Sequence, residues 1–218
     1  MAVKRAPHLA NLLALAFLVT ACSQTSYVDK NVGRQDAGAL NPFDREVEYQ
    51  FDLGLLTDRP SCIAVGSVEV ANGVQPDRRR VNSVHLALVA HARSVLPDIA
   101  IVEIDLDPSA AIMESSIRGC PYVLLAELIA EDDVYLLVWS RKRFGLRASL
   151  VRVEDKEELW SARHIASRSE GDVPLDPVGA VVTIFRTGDF AEDNDVDLSL
   201  IDDAVRRTFA TLPMSSTK

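Results

Sequence analysis

Few residues of this sequence stand in patterns that predict catalysis or metal binding. His85 and His91 are six positions apart, which does not match the i, i+4 spacing of two metal ligands on one helix face. Glu127 lies in an otherwise apolar segment, where a catalytic carboxylate would need a partner group that the sequence does not indicate. The motifs His-Glu-x-x-His, Gly-x-Ser-x-Gly and Cys-x-x-Cys and a glycine-rich phosphate loop are all missing from the sequence. We therefore predict no catalytic residue, no cofactor and a protein that is not an enzyme.

Acidic residues cluster between Glu192 and Asp197, and this run is the best candidate for a metal site. Carboxylate oxygens suit Ca²⁺, but the run lacks the EF-hand spacing. A solvated acidic loop followed by a helix cap at Asp197 is the interpretation we adopt, so no metal is predicted. His164, which follows Arg163 in a strand-like segment, is expected at the surface.

The first 21 residues are typical of a signal peptide. Lys4 and Arg5 precede an apolar run, Leu9–Val19, that is interrupted only by Asn11. As a helix this run would be about 16 Å long, whereas the hydrocarbon core of a bilayer is about 30 Å thick. It is therefore too short to serve as a permanent membrane anchor.

Cys22 ends a segment, Leu18-Val19-Thr20-Ala21-Cys22, that resembles the lipobox of bacterial lipoproteins. The resemblance implies cleavage between Ala21 and Cys22 and a diacylglycerol on the thiol. Two or three acyl chains anchor a protein durably, whereas one chain holds it only marginally. Ser23, rather than an aspartate, follows the cysteine, which by the sorting pattern of Gram-negative lipoproteins indicates the periplasmic side of the outer membrane. An ordinary secretory signal with a chance cysteine is the alternative.

Cys62 and Cys120 remain after lipidation, and in an oxidising compartment they are expected to form a disulfide bond. Each precedes a strand-like segment by a short offset, Ile63–Val65 in one case and Tyr122–Leu125 in the other. If these strands are parallel neighbours, both sulfurs lie at one end of the sheet, and closing such a loop stabilises the fold by about 4 kcal/mol. Two buried free thiols are the alternative. Either way the role is structural, since no nearby motif activates a thiol.

The composition is that of an ordinary globular protein, with 48% hydrophobic and 25% charged residues. Removing residues 1–21 takes away two basic residues and no acidic ones, which leaves 21 basic and 32 acidic residues and a net charge of −11. Nucleic acid and anionic lipid surfaces are therefore poor partners. No second apolar run of about 18 residues occurs, so the acyl chains are the expected attachment to the membrane.

The distribution of apolar residues predicts a single α/β domain over residues 59–213, with a tail over residues 214–218. Residues 22–58 are expected to form a lipidated, flexible tether with a root-mean-square reach of roughly 30–36 Å. Within the tether, Val47–Leu56 is more apolar than its surroundings and is a candidate for a short strand docked on the domain.

The first half of the domain alternates strands and helices. Strands are predicted at Ile63–Val70, Ile99–Ile104 and Pro121–Ile129. One helix begins after Asp77 as cap and ends before Pro97, and a second covers Pro108–Ile117. Such alternation predicts parallel strands with right-handed crossovers.

The second half predicts an antiparallel meander. Its strands, Val134–Arg141, Leu146–Val153 and Leu159–Ser167, are separated by turns too short for crossover helices. A long insert loop is predicted over residues 170–197, and its length indicates a specific role. A last helix, Leu198–Leu212, follows Asp197 as cap. The predicted fold is thus α/β, with a three-layer arrangement of a mixed sheet: β-α-β-α-β, then an antiparallel meander and a C-terminal helix.

Three segments, taken with this order of elements, carry a resemblance to known proteins: Ile63–Gly66, Tyr122–Leu128 and the hairpin-like Ala148–Ser161. They resemble a superfamily of periplasmic lipoprotein domains. It includes the curli secretion channel CsgG, the peptidoglycan-synthase activator LpoB, the polysaccharide-export lipoprotein PelC and lipoproteins of the neisserial GNA type. The sequence departs from the pattern by having no proline after the first strand, and by having Glu157-Glu158 in the hairpin turn where glycine is usual. It also lacks a pair of alternating strands of about 9–11 residues where CsgG crosses the outer membrane, so a pore is not implied.

The resemblance implies a non-catalytic accessory or assembly factor of a cell-envelope or secretion machine. Such a protein would bind other envelope proteins, form a homo-oligomer, and contact the membrane through its acyl anchor. Two alternatives stay open, namely an activator of a peptidoglycan synthase and an envelope enzyme of an unfamiliar type.

Overall fold

The computed structural model describes residues 25–31, 45–52, 60–136, 139–171 and 177–213. The strands are β1 (Thr25–Asp29), β2 (Arg45–Phe51), β3 (Cys62–Val70), β4 (Ala100–Glu103), β5 (Tyr122–Leu136), β6 (Trp139–Arg152) and β7 (Glu158–Gly171). The helices are α1 (Arg78–Val95), α2 (Pro108–Ile117), α3 (Pro177–Glu192) and α4 (Asn194–Phe209). The predicted signal peptide and Cys22 lie outside the described residues.

The strands form one mixed sheet in the order β1-β2-β7-β6-β5-β3-β4. The strands β4, β3 and β5 are parallel neighbours, joined through α1 and α2. From β5 the direction alternates through β6, β7 and β2, and β1 adds to the edge parallel to β2. The predicted α/β class, with its β-α-β-α-β half, antiparallel meander and C-terminal helix, is confirmed.

The first two helices begin where their capping residues predict. The Asp77 carboxylate accepts a hydrogen bond from the Arg79 backbone N–H, and Asp107 accepts from the N–H groups of Ser109 and Ala110. Each cap satisfies amide groups that the first helical turn leaves without an intrahelical partner. Pro108 occupies the first turn of α2, where its missing N–H costs nothing.

The helices lie on both faces of the sheet. α1 and α4 pack together on one face and bury the larger core, which includes Leu88, Leu128, Trp160 and Phe209. α2 covers a smaller cluster on the other face: Ala64, Ile104, Ala111, Cys120 and Val123. The predicted three-layer arrangement is therefore present where α1, the sheet and α2 overlap.

The boundaries predicted for the meander are wrong. β5 and β6 form one long hairpin, so the predicted strand Val134–Arg141 spans the hairpin end, and the predicted turn over residues 142–145 lies inside β6. Lys142 reads as a turn residue, but its side chain is 2% exposed and paired with Asp197. Gly145 faces a bulge in β5, and a Cβ there would lie 2.8 Å from the Cβ of Ala130. Both residues are therefore determined by neighbours that are distant in the sequence, Asp197 for Lys142 and Ala130 for Gly145.

The turn between β6 and β7 forms although Glu157-Glu158 stand where the similar proteins usually have a glycine. Lys156 has a φ of 61°, which is the left-handed conformation that favours glycine. The Asp155 carboxylate supports the turn by accepting hydrogen bonds from the Glu157 N–H and from Arg152.

The prediction of a long insert loop over residues 170–197 is also wrong. Residues 170 and 171 end β7, and α3 occupies Pro177–Glu192. The segment is rich in glycine and β-branched residues, whose helix propensity is low, and its packing against β5, β6 and β7 compensates. α4 begins at Asn194 with Asp193 as its cap, so the predicted cap Asp197 belongs instead to the first helical turn.

The prediction of a flexible tether is wrong for β1 and β2. β2 pairs antiparallel with β7, so that Val47 lies opposite His164, and Val47 is fully buried. The candidate docked strand is confirmed for Val47–Phe51. The folded domain therefore includes residues well before the predicted boundary at residue 59.

Candidate interaction surface

Cys62 and Cys120 are joined by a disulfide bond, with their Cα atoms 5.1 Å apart. Cys62 is the first residue of β3, and Cys120 lies just before β5. The two strands are parallel neighbours, with Ile63 opposite Tyr122. Cys120 is buried in the core beneath α2. The bond therefore joins the same end of two neighbouring parallel strands and is a structural feature.

The residues considered for catalysis or metal binding are dispersed. His85 lies 3.9 Å from Glu103, whereas His91 stacks edge-on against Phe209, and burial lowers the pKa of His91. The expected surface position of His164 is wrong: its side chain is 1% exposed, and its Nδ1 lies 2.8 Å from the Glu46 carbonyl oxygen. Within the described ranges, no three His, Cys, Asp or Glu side chains are arranged to hold a metal ion.

A group that we call the buried ionic cluster joins four elements. It consists of Arg80 on α1, Glu131 and Asp133 on β5, Lys142 on β6 and Asp197 on α4. Its centre at Lys142 is 2% exposed, and Asp133 at its rim is 41% exposed. Asp197 accepts hydrogen bonds from Lys142 Nζ and from Arg80, each at 2.8 Å. Arg80 also binds Asp133 at 2.9 Å and contacts Glu131. The Lys142 ammonium has a second acceptor in the Asp193 carbonyl oxygen at 3.0 Å.

The electrostatics of the cluster favour the ion-paired state of its arginine. Burial opposes the charge on Arg80, but hydrogen bonds to Asp133 and Glu131 outweigh it and raise the pKa of Arg80. Burial raises the pKa of Glu131, and Arg80 offsets part of that increase. The cavity beside the cluster is about 10 Å³, which is room for no more than one water molecule. The cluster therefore fixes positions and has no space for a substrate.

The cluster joins β5 and β6, close to the outer end of their hairpin, to α1 and α4. Tyr135 and Leu136 at the end of β5 are 46% and 56% exposed, and Val182 and Phe185 on α3 are 52% and 67% exposed. The Tyr135 hydroxyl lies 3.7 Å from the ideal Cβ position of Gly188, so the hairpin end contacts α3. Successive strand residues point to opposite sides of a sheet, so Leu136 faces away from Tyr135. Val182, Phe185 and Gly188 are three positions apart and lie along one face of α3. We call Tyr135, Val182 and Phe185 the hairpin-end surface. Large exposed apolar side chains gathered in one region are typical of protein interaction sites.

The sheet face opposite α1 and α4 is polar near its middle. One row of directly opposed residues crosses it: Glu69, Glu127, Arg147, Arg163 and Glu48. Glu127 is thus a member of a charged row, beside Arg147, which accounts for a carboxylate in an otherwise apolar strand. This part of the face is charged, whereas the hairpin-end surface is apolar.

Sequence reasoning found neither the ionic cluster nor the hairpin-end surface. From the sequence Arg80 resembles an ordinary surface residue and Lys142 a turn residue, because their partners are 51 to 117 positions away. The one local signal was a lysine in a stretch of alternating apolar residues, Lys142-Phe144-Leu146.

The fold is that of an α/β domain. Its sheet has parallel strands toward one edge and an antiparallel meander toward the other, and helices cover parts of both faces. Among the solved structures with a similar fold is a dodecamer of a PelC variant from Paraburkholderia phytofirmans, at 16% sequence identity over 79% of this chain and 99% of that chain, with a TM-score of 0.50. This likeness shows the fold, and the predicted resemblance to the superfamily is confirmed at that level.

Two further structures are similar. The lipoprotein GNA1162 from Neisseria meningitidis is 18% identical over 62% of this chain and 100% of that chain, with a TM-score of 0.40. The C-terminal domain of LpoB from Salmonella enterica is 14% identical over 55% of this chain and 94% of that chain, with a TM-score of 0.30. No protein-family model and no curated protein matches the sequence.

Among the helices that the structure describes, none has the length and apolar character needed to cross a bilayer.

Proposed function

We propose that this chain is a lipid-anchored lipoprotein of the cell envelope that acts without catalysis, as an accessory or assembly factor that binds protein partners through its hairpin-end surface. The observation that carries the proposal is the exposure of Tyr135, Val182 and Phe185 where the end of one long hairpin meets α3. Tyrosine is among the residues that carry much of the binding energy of protein interfaces, and burying the large apolar ring of Phe185 adds a hydrophobic contribution.

The buried ionic cluster supports this role because it holds the surface in place. At the hairpin end the sheet consists of three strands, because β7 pairs with β6 as far as Trp139. Here Arg80 and Asp197 connect both strands of the hairpin to α1 and α4. A surface that is rigid before binding loses less conformational entropy when a partner docks.

A second copy of the chain is the first partner to test. PelC, whose fold this chain shares, is a dodecamer in its crystals. Oligomerisation through the hairpin-end surface would bury side chains that are costly to leave in water.

Light scattering coupled to gel filtration on the detergent-solubilised, full-length chain tests the proposal. We expect a discrete multimer, and we expect Phe185→Glu to weaken it roughly tenfold or more, since a buried unpaired charge costs well over the 1.4 kcal/mol that a factor of ten represents. Leu86→Glu on α1 is the matched control, because Leu86 is 64% exposed and Phe185 is 67% exposed.

A multimer that resists Phe185→Glu would contradict the proposed interface. If the chain is monomeric, crosslinking in intact cells decides the matter: capture of an envelope protein by the wild type and the Leu86→Glu variant, but not by Phe185→Glu, supports a different partner at the same surface. Equal capture by all three would overturn the proposal.

Lipidation of Cys22 and the outer-membrane location form the second part of the proposal. They are supported by the segment Leu18–Cys22 and by Ser23. We expect the intact mass of the membrane-extracted protein to equal that of residues 22–218 plus acyl groups, and Cys22→Ser to abolish both the acylation and the membrane association. Density-gradient separation of the two membranes tests the location, and recovery with the inner membrane would contradict it.

A further inference from the structure

A polar depression lies on the sheet face opposite α1 and α4, where β2, β7 and β6 are neighbours. Its volume is about 280 Å³. Most of the residues around it are charged or can form hydrogen bonds: Lys30, Glu48, Gln50, Arg147, Ser161 and Arg163. The depression exists because two short side chains, Ser161 and Ser149, lie directly opposite each other beside a row of much longer ones.

The cations around this depression are not fully neutralised. Lys30 pairs with Glu48 at 2.7 Å, so these two charges cancel. Arg147 comes no closer than 3.5 Å to Glu158, which is at the long end for an ion pair. Arg163 is exposed, and among the residues that the structure describes it has no ion pair. A guanidinium charge is therefore left without a counter-charge, although the chain as a whole has a net charge of −9.

The two arginines are direct neighbours, since Arg147 on β6 stands opposite Arg163 on β7. Like charges in this cross-strand position repel each other and destabilise a sheet. Each guanidinium presents its N–H donors in a planar fork that matches a carboxylate or a phosphate group. An oxyanion between the two forks would remove the repulsion and accept hydrogen bonds from both.

Ser161 provides a neutral donor at the floor of the depression. Its side chain is 8% exposed, and no hydrogen bond to its hydroxyl group occurs within the described part of the chain. Ser161 and Arg163 are two positions apart on β7, so their side chains point to the same face. The neighbouring Gln50 amide donates to Glu158 at 3.0 Å. The Ser161 hydroxyl is therefore available to a ligand that the arginines hold.

We propose that this depression binds the oxyanion of a small molecule, either a phosphate ester or a carboxylate, between Arg147 and Arg163 and above Ser161. The volume is just below the range of about 300–1,000 Å³ that is typical of ligand pockets, so the ligand has the size of a glycerol phosphate or a four-carbon dicarboxylate. Glu48 and Glu127 flank the arginine pair in the same row and would repel an anion that extends along it.

The proposal goes beyond the proposed function and does not depend on it. Tyr135 stands opposite Ser140, which is an odd number of positions from Arg147 on β6, so Tyr135 points to the other face of the sheet. The oxyanion site and the hairpin-end surface can therefore be occupied at the same time.

Phosphorus NMR tests the proposal on the full-length chain in a non-ionic detergent. The probe is sn-glycerol 3-phosphate, and sodium chloride keeps the ionic strength constant. We expect the chain to broaden the phosphorus signal with a Kd of roughly 1 mM or tighter. Arg163→Gln should weaken binding roughly tenfold or more, because it removes the uncompensated charge and its charge-assisted hydrogen bonds.

The matched control is Arg168→Gln. Arg168 is also an exposed arginine on β7, but it stands opposite Lys142 and therefore points to the other face of the sheet. We expect this variant to bind the probe as the wild type does. Arg163→Lys keeps the charge but not the fork, so its affinity should lie between those of the wild type and Arg163→Gln.

Competition identifies the ligand class. Succinate and inorganic phosphate are each added to the complex with glycerol 3-phosphate. Displacement at a lower concentration of phosphate assigns the site to a phosphate ester, and displacement at a lower concentration of succinate assigns it to a carboxylate.

Thermal unfolding gives a second measurement, because a ligand that binds only the folded chain raises the midpoint. Glycerol 3-phosphate at ten times its Kd should raise the midpoint of the wild type and of Arg168→Gln by about 3–6 °C, and leave that of Arg163→Gln unchanged.

No broadening of the phosphorus signal by the wild type would overturn the proposal. Equal broadening by the wild type and Arg163→Gln would overturn it as well, since the probe would then respond to the general charge of the surface and not to the arginine pair.

Discussion

Lys142 lies on the helix-facing side of β6, where its ammonium group is removed from water and has two oxygen acceptors, the Asp197 carboxylate and the Asp193 carbonyl. A buried charge is tolerated when it is paired and hydrogen-bonded. Asp197 serves two cations at once, because Arg80 binds its other oxygen atom. At the scale of single residues, Asp197 is therefore the member of the ionic cluster whose loss leaves the most charge without compensation.

We expect Asp197→Ala to lower the free energy of unfolding by about 3–5 kcal/mol, because breaking a buried ion pair leaves an uncompensated charge. The matched control is Asp195→Ala. Asp195 is in the same first turn of α4 and exposed, so its loss removes a favourable contact with the helix dipole of no more than about 1 kcal/mol. Urea denaturation curves give both values, and equal shifts for the two variants would show that the cluster adds no stability of its own.

Asp203 is expected to make the free energy of unfolding depend on pH. Burial disfavours its charged form, but hydrogen bonds from Arg207 and Arg206 outweigh burial and lower the pKa of Asp203. A carboxyl group whose pKa is lower in the folded state stabilises the protein above its ordinary pKa of 3.8, and this stabilisation is lost as the pH falls through the lowered value.

Asp203→Asn should therefore be less stable than the wild type at pH 7, by about 1 kcal/mol or less given that Arg206 is largely exposed. The difference should shrink as the pH is lowered from about 4 and disappear below the folded-state pKa. Urea denaturation at neutral and at strongly acidic pH measures it. A difference that grows with acidity would show that the sign is wrong.

At the scale of elements, the β5–β6 hairpin depends on a close approach between its strands. The register shifts between Leu128 and Ala130, and Gly145 faces this bulge with no room for a Cβ. We expect Gly145→Ala to cost about 1–3 kcal/mol, since its methyl group forces a backbone or side-chain shift. Gly188→Ala should instead stabilise by roughly 0.5–1 kcal/mol, because Gly188 is in a helix and its nearest contact would be an ordinary 3.7 Å. Thermal unfolding of the two variants should shift in opposite directions.

The helices and strands of the first half could be predicted from sequence because their signals are local. The range of α2, Pro108–Ile117, follows from Asp107 and the proline beside it. β6 and α3 could not be predicted in this way. The buried Lys142 is paired with Asp197, which is 55 positions away. α3 is helical despite its low helix propensity because it packs on β5, β6 and β7. The hairpin-end surface is formed where these elements meet, so it could not be predicted from the sequence either.

At the scale of the whole molecule, β1 and β2 change where the domain begins and how it is held. β2 covers the edge of β7, with Phe51 opposite Trp160, and the Glu46 carbonyl lies within hydrogen-bond distance of His164. Without β2, β7 would present a row of unpaired backbone groups, which is a template for association with another chain. The segment that looked like a spacer is therefore part of the sheet and also protects it.

Truncation separates the two views of this segment. We expect a chain that starts at residue 60 to be less stable than one that starts at residue 25 by about 3–6 kcal/mol, because it loses the burial of Val47 and the partial burial of Tyr49 and Phe51. It should also self-associate through β7, with a light-scattering mass that rises with concentration. A chain that starts at residue 45 lacks β1 alone and should fall between the two, since β1 is half-exposed at the sheet edge. If all three chains unfold at the same urea concentration and remain equally monodisperse, the domain begins near residue 59 and the strands before it are dispensable.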